Sequence, residues 1–68
     1  MNYITVRFFF DSLDGAVEAL ILLLEDARAS DKDYSLGSLS ADQVLTSGLL
    51  LMGDAEHLIP SILNIPGS

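Results

Sequence analysis

The first ten residues alternate as a strand does. Period two places Ile4, Val6, Phe8 and Phe10 on one face and Tyr3, Thr5, Arg7 and Phe9 on the other. Most are β-branched or aromatic, so the pattern predicts a strand over about 2–10, its wholly apolar face lying on helices. From Asp11 the period changes. Leu13, Ala16, Val17, Leu20, Leu23, Leu24 and Ala27 recur at helical spacing and predict a helix over about 12–30. Asp11 or Ser12 caps its start, Asp14 meets the positive end of its dipole, and Ser30-Asp31-Lys32-Asp33 reads as its exit. Gly15 is the one poor helix former inside it. On the wheel the seven apolar residues form one broad arc, while Asp14, Glu18 and Glu25 make a stripe opposite, ending at Arg28. Ile21 falls inside that acidic stripe and Leu22 beside it. A helix apolar nearly all round its middle is usually covered on more than one side.

A polar loop over 31–39 follows, interrupted only by Tyr34, Leu36 and Leu39. Ser40 with Gln43 three residues later makes a capping box, and Leu39 with Val44 a hydrophobic staple, so a second helix starts at about 41. Its apolar pattern runs through Val44, Leu45, Leu49, Leu51, Met52, Ala55, Leu58, Ile59, Ile62 and Leu63, which favours apolar burial to about residue 63, and predicts helix over about 41–59. Gly53-Asp54 either ends this helix and caps another or interrupts a single long one. Pro60 removes a backbone donor and disfavours helix at Ile59, which places a break or kink there. Residues 64–68 read as an irregular, frayed tail.

Ser35 to Leu39 is short and broken by Gly37, so no second strand of comparable quality is foreseen. An unpaired apolar strand invites association, and pairing with the same strand of another copy across a two-fold axis is the economical solution. The predicted fold is therefore mostly α with one N-terminal β-strand: a single domain over 1–68 with a β-α-α protomer, forming a homodimer. Its two strands pair as an antiparallel ribbon over a helical core. The predicted dimer interface is Ile4, Val6, Phe8, Phe10, Leu13, Val17, Leu20 and Leu24. Length argues the same way, because 68 residues bury little surface and small chains often gain stability by oligomerising.

Charge changes the picture next. Ten acids against three bases give a formal net charge of −7, which phosphate backbones would repel and a basic protein surface would attract. The absence of cysteine removes disulfides and thiolate metal sites, and makes a cytoplasmic setting the simpler expectation. No targeting segment is read in the chain. The longest apolar run, Ala19 to Leu24, is far short of a membrane span, so no membrane partner is expected.

Chemistry has few footholds. His57 has Asp54 three residues before it and Glu56 beside it, but two ligands do not close a metal site; a surface histidine near a helix end accounts for it. Asp14 and Glu18 share a helix face, yet acid–base work needs a cleft and a raised pKa that a short helical chain is not expected to supply. Ser12, Ser38 and Ser40 are explained by caps and turns, and Gly37, Gly48 and Gly53 have no lysine to complete a phosphate loop. No enzyme, cofactor or metal is predicted. What remains is a surface for a basic partner on the first helix: Asp14, Glu18, Ile21, Leu22, Glu25 and Arg28, where apolar side chains sit among acids as in an interface hot spot.

Two resemblances bear on this. Strand, helix and helix paired through the strand resembles ribbon-helix-helix DNA-binding regulators and antitoxins, but the outward strand face would offer a single positive charge, Arg7. In length, acidity and the order of YITVRFFF, DSLDGAVEALILLLEDA and SDKDYSLGSL, the chain looks like the small early proteins by which temperate phages of Pseudomonas counter quorum sensing. That resemblance implies a homodimeric anti-activator in the bacterial host cell. It would bind a LasR-type transcriptional regulator at its DNA-binding region, and would also block the pilus-assembly ATPase PilB, giving superinfection exclusion. It carries no motif residue by residue. An anti-CRISPR protein imitating DNA would share the acidity.

Overall fold

The computed structural model describes residues 3–29, 31–37 and 40–66. Within them the chain runs β1 (Tyr3–Phe8), α1 (Leu13–Ala29), β2 (Tyr34–Leu36), α2 (Ala41–Ser47) and β3 (Leu49–Asp54). A 3₁₀ turn (Glu56–Leu58) then leads directly into α3 (Ile59–Leu63). The described residues thus form three α-helices and a three-stranded antiparallel sheet, not a β-α-α unit with one strand.

The strand order is β1-β3-β2, so the last strand in sequence is the central one. β1 pairs with β3 from Tyr3↔Asp54 to Phe8↔Leu49, and β2 pairs with β3 from Tyr34↔Gly53 to Leu36↔Leu51. This corrects the helix expected over 41–59. The segment LLLMGD is a run of large apolar residues that fits a buried helix and a central strand equally well by pattern. Two glycines, Gly48 just before it and Gly53 within it, decide between them. Gly48 has φ 87° and closes α2, its N–H bonding to the Val44 carbonyl, so the chain turns out of the helix there. Gly53 has φ 117°, and a Cβ on it would stand 2.6 Å from the Asp33 carbonyl oxygen and 2.7 Å from Tyr34 Cα. Only glycine lets β2 lie against β3 at that point. The second strand judged absent is thus supplied twice, by β3 and by the short β2, and β1 finds its partner within its own chain.

Helix starts follow the capping signals more closely. Ser12 Oγ accepts from the Gly15 N–H at 3.1 Å, and Ser40 Oγ accepts from the Gln43 N–H at 3.4 Å. Leu39, half of the predicted staple, lies outside the described residues. Pro60 does not kink a long helix. It stands in the first turn of α3, where its missing N–H has no helical acceptor to lose. The end of the chain is docked as far as Pro66: Ile62 is fully buried, and Ile65, whose N–H bonds to the Ile62 carbonyl, is nearly so. Of the expected frayed tail, Gly67 and Ser68 lie outside the described residues.

One core joins these elements: Phe10, Ala16, Ala19, Leu20, Leu23, Val44, Leu49, Leu51, Ala55, Leu58, Ile62 and Ile65, with Ile4, Val6, Phe8, Leu22, Tyr34 and Leu36 packed around it. No helix among the described residues is long and apolar enough to cross a membrane.

Candidate functional site

Helix α1 carries the residues of interest, and its orientation differs from the wheel reading. Its buried residues are Gly15, Ala16, Ala19, Leu20 and Leu23. Leu13 and Leu24, expected inside, are 48% and 50% exposed, and Val17 is exposed as well. The covered arc is turned by roughly 70° from the one the leucines mark. Small residues hold the inward positions: Ala16 and Ala19 are fully buried, and at Gly15 a Cβ would stand 2.8 Å from the Pro66 carbonyl oxygen. Of the predicted dimer interface, Leu20 and Phe10 belong to the chain's own core, and Ile4, Val6 and Phe8 pack against it. Leu13, Val17 and Leu24 are left on the surface.

The rotation brings the acidic stripe against the end of the chain. Glu18, Ile21, Leu22 and Glu25 form one wall of a groove whose other wall is Ser61, Asn64, Ile65 and Pro66, enclosing about 340 Å³. A second hollow of about 550 Å³ continues toward the helix N-terminus between Ser12, Asp14, Gly15, Val17, Glu18 and Pro66. Glu18 and Pro66 line both, so the two form one trough beside α1. From Asp14 to Glu25 it follows about 17 Å of helix. Five of the six predicted partner-binding residues line it: Asp14, Glu18, Ile21, Leu22 and Glu25. Arg28, exposed in the last turn of α1, lines neither hollow. Ile21 is 51% exposed in the middle of this acidic rim. The opposite wall was not foreseen, because a frayed tail cannot make one. The signal for it was the apolar spacing of Ile62 and Ile65, which continues past Pro60.

A second constellation ties α1 to β2 and to the 3₁₀ turn. The Tyr34 hydroxyl donates to Asp26 Oδ2 at 2.8 Å and lies 3.2 Å from the Leu23 carbonyl oxygen. His57 Nε2 stands 3.0 Å from the same Asp26 oxygen, and the Tyr34 and His57 rings meet edge to face at 6.3 Å. Burial alone would raise the Asp26 carboxyl, but hydrogen bonds from Tyr34 and His57 and the charges of His57 and Lys32 outweigh it, leaving it below its ordinary value of 3.8. Burial first, then the Asp26 hydrogen bond and charge, push the Tyr34 hydroxyl up to about 12. His57 therefore turns to an acid 31 positions away, while Asp54, its sequence neighbour, lies 4.0 Å from Lys32 Nζ. Asp26 was overlooked because the wheel put its helix's acids on the outer side. Its place three residues after the buried Leu23, on the covered flank, was the available clue. Among the described residues no three histidine, cysteine, aspartate or glutamate side chains gather as a metal site would require.

No protein-family model, curated protein or solved structure matches this chain.

Proposed function

We propose that the protein is a non-enzymatic binding protein whose α1 trough receives a basic amphipathic helix of a partner protein. The supporting observation is that Glu18 and Glu25 flank Ile21 and Leu22 on one wall of a groove with Ile65 and Pro66 on the other. An incoming helix of about three turns would lay an apolar stripe on Ile21, Val17 and Pro66 and set lysines or arginines on the acidic rim, the helix-in-groove mode of recognition. Net charge of −7 favours encounter with such a partner. The DNA-binding region of a transcriptional regulator has the required chemistry, so occlusion of DNA is the mechanism that follows. A LasR-type regulator, with the pilus-assembly ATPase as a second target, is the form given by the resemblance to phage anti-activators. The groove supports the class of partner. The resemblance rests on length, acidity and the order of segments before residue 40, with no motif behind it, so it adds only the candidate name.

Titration of the intact protein with a labelled basic amphipathic peptide, against an acidic peptide of equal length, tests the reading. Binding of the basic peptide alone is expected, lost in Glu18→Lys/Glu25→Lys with far-UV circular dichroism unchanged. Equal affinity in the folded double variant would remove α1 from the assignment. Displacement of a LasR-type regulator from promoter DNA, followed by mobility shift, tests the named target.

A further inference from the structure

The outer edge of β1 is unlike the rest of the surface. β1 is an edge strand of six residues, with β3 on one side and, among the described residues, no strand on the other. Backbone directions along the sheet can be followed from β3. The Leu50 carbonyl accepts from Gly37 N–H, and the Asp54 N–H donates to the Asp33 carbonyl, so alternate residues of β3 face β2 and Leu49, Leu51 and Gly53 face β1. Their partners Phe8, Val6 and Ile4 spend their backbone groups inward, and Tyr3, Thr5 and Arg7 direct theirs outward. Of the usual protections this edge has one charge, Arg7, and its guanidinium is turned to the Ser47 carbonyl oxygen at 2.7 Å. There is no proline or lysine in β1, and its pairing with β3 runs without a bulge, whereas β2 at the opposite edge is only three residues long.

We infer that this edge pairs with the same edge of a second copy, joining two sheets into one six-stranded antiparallel sheet about a two-fold axis through Val6. Two observations single out a second copy in this register. All ten carboxylates of the chain lie at or after position 11, and residues 3–10 carry only Arg7. Two molecules of charge −7 repel over most of their surfaces, and β1 is the stretch where they meet without bringing acids together. The register must also keep core-facing residues opposite core-facing residues. With Val6 on the axis, Ile4 faces the partner's Phe8 and continues the apolar layer. Thr5 and the partner's Arg7 become the pair that exchanges backbone hydrogen bonds, which matches the outward direction of their groups. Tyr3 meets the partner's Phe9 on the open side, covering two aromatic side chains that are 61% and 64% exposed in the single chain. This inference is independent of the α1 trough.

The molar mass of the full chain in solution, measured across a concentration series, tests it together with two variants. Wild type is expected at twice the chain mass, and Thr5→Pro, which removes an outward N–H without touching the bonds to β3, at the single mass with unchanged circular dichroism. The chain has no cysteine, so Val6→Cys supplies a lone thiol. That thiol should cross-link to its own copy on mild oxidation, whereas Thr5→Cys should not, being displaced from the axis. A monomer at millimolar concentration, or a dimer that survives Thr5→Pro, overturns the inference. If Thr5→Pro loses its circular dichroism, the cross-linking pair decides, and cross-linking of Thr5→Cys in place of Val6→Cys also overturns it.

Discussion

At the scale of single residues, Asp26 is where three segments converge through one carboxylate oxygen. Tyr34 and His57 reach it from β2 and from the 3₁₀ turn, so the bonds that hold it also fasten both segments to α1. Tyr34→Phe keeps the ring and removes the donor to a charged acceptor, and should cost about 1–2 kcal/mol in urea unfolding. The pH dependence has a definite sign at each end. Asp26 titrates below its ordinary 3.8 in the folded state, so its contribution is complete above that pH and lost as pH falls through the folded value. Tyr34 titrates above its ordinary 10, so the folded state holds the proton longer and stability declines as pH rises from 10 toward about 12. Urea midpoints measured across both ranges should show the two declines in wild type and a flatter alkaline side in Tyr34→Phe. An alkaline decline unchanged by the substitution would assign it to another group.

Elements show how far the pattern of the chain determines its fold. The inward face of Ile4, Val6 and Phe8 in β1, with Phe10 buried just beyond the strand's end, the start of α1 and the Ser40 cap were legible because each rests on signals within a few residues. β3 was not, because Leu49–Met52 shows no alternation of residue type: burial alternates along it, but the less buried Leu50 and Met52 are as apolar as the inward Leu49 and Leu51. What selects a strand is the pair of positive-φ glycines, Gly48 before it and Gly53 within it, and the pairing needs of β1, which are tertiary facts. The rotation of α1 was hidden similarly, since a wheel weights leucine over alanine and the inward position went to Ala16 and Ala19. Two substitutions separate the wheel from the structure. Leu23→Ala opens a cavity at a fully buried site and should cost about 2–5 kcal/mol, comparable to all the stability a chain this short commands. Leu13→Ala, at a half-exposed site, should stay within about 0.5 kcal/mol. Thermal unfolding of the pair decides, and the reverse order would restore the leucine arc as the core.

For the whole molecule the question is whether its acidity acts everywhere or at one place. A charge of −7 would draw any basic partner and make every association weaken with salt, whether or not the trough is the site. Net charge alone therefore cannot support the proposed function, and position must be separated from sum. Glu18→Gln/Glu25→Gln and Asp31→Asn/Asp33→Asn each remove two carboxylates; the first pair lines the trough, while the second lies in the exposed connection before β2. If the field of the whole protein governs binding, both double variants should weaken a basic peptide equally. If the trough is the site, the glutamate pair should lose roughly tenfold in affinity, about 1.4 kcal/mol from two partly exposed ion pairs. The aspartate pair should then change the association rate slightly and the dissociation rate hardly at all, because distant charges steer encounter while contacts set residence. Stopped-flow rates at low and moderate salt make the distinction. Equal losses in the two variants would reduce the acidic stripe of α1 to part of a solubilising surface, and would leave Ile21, exposed among carboxylates, without a partner to explain it.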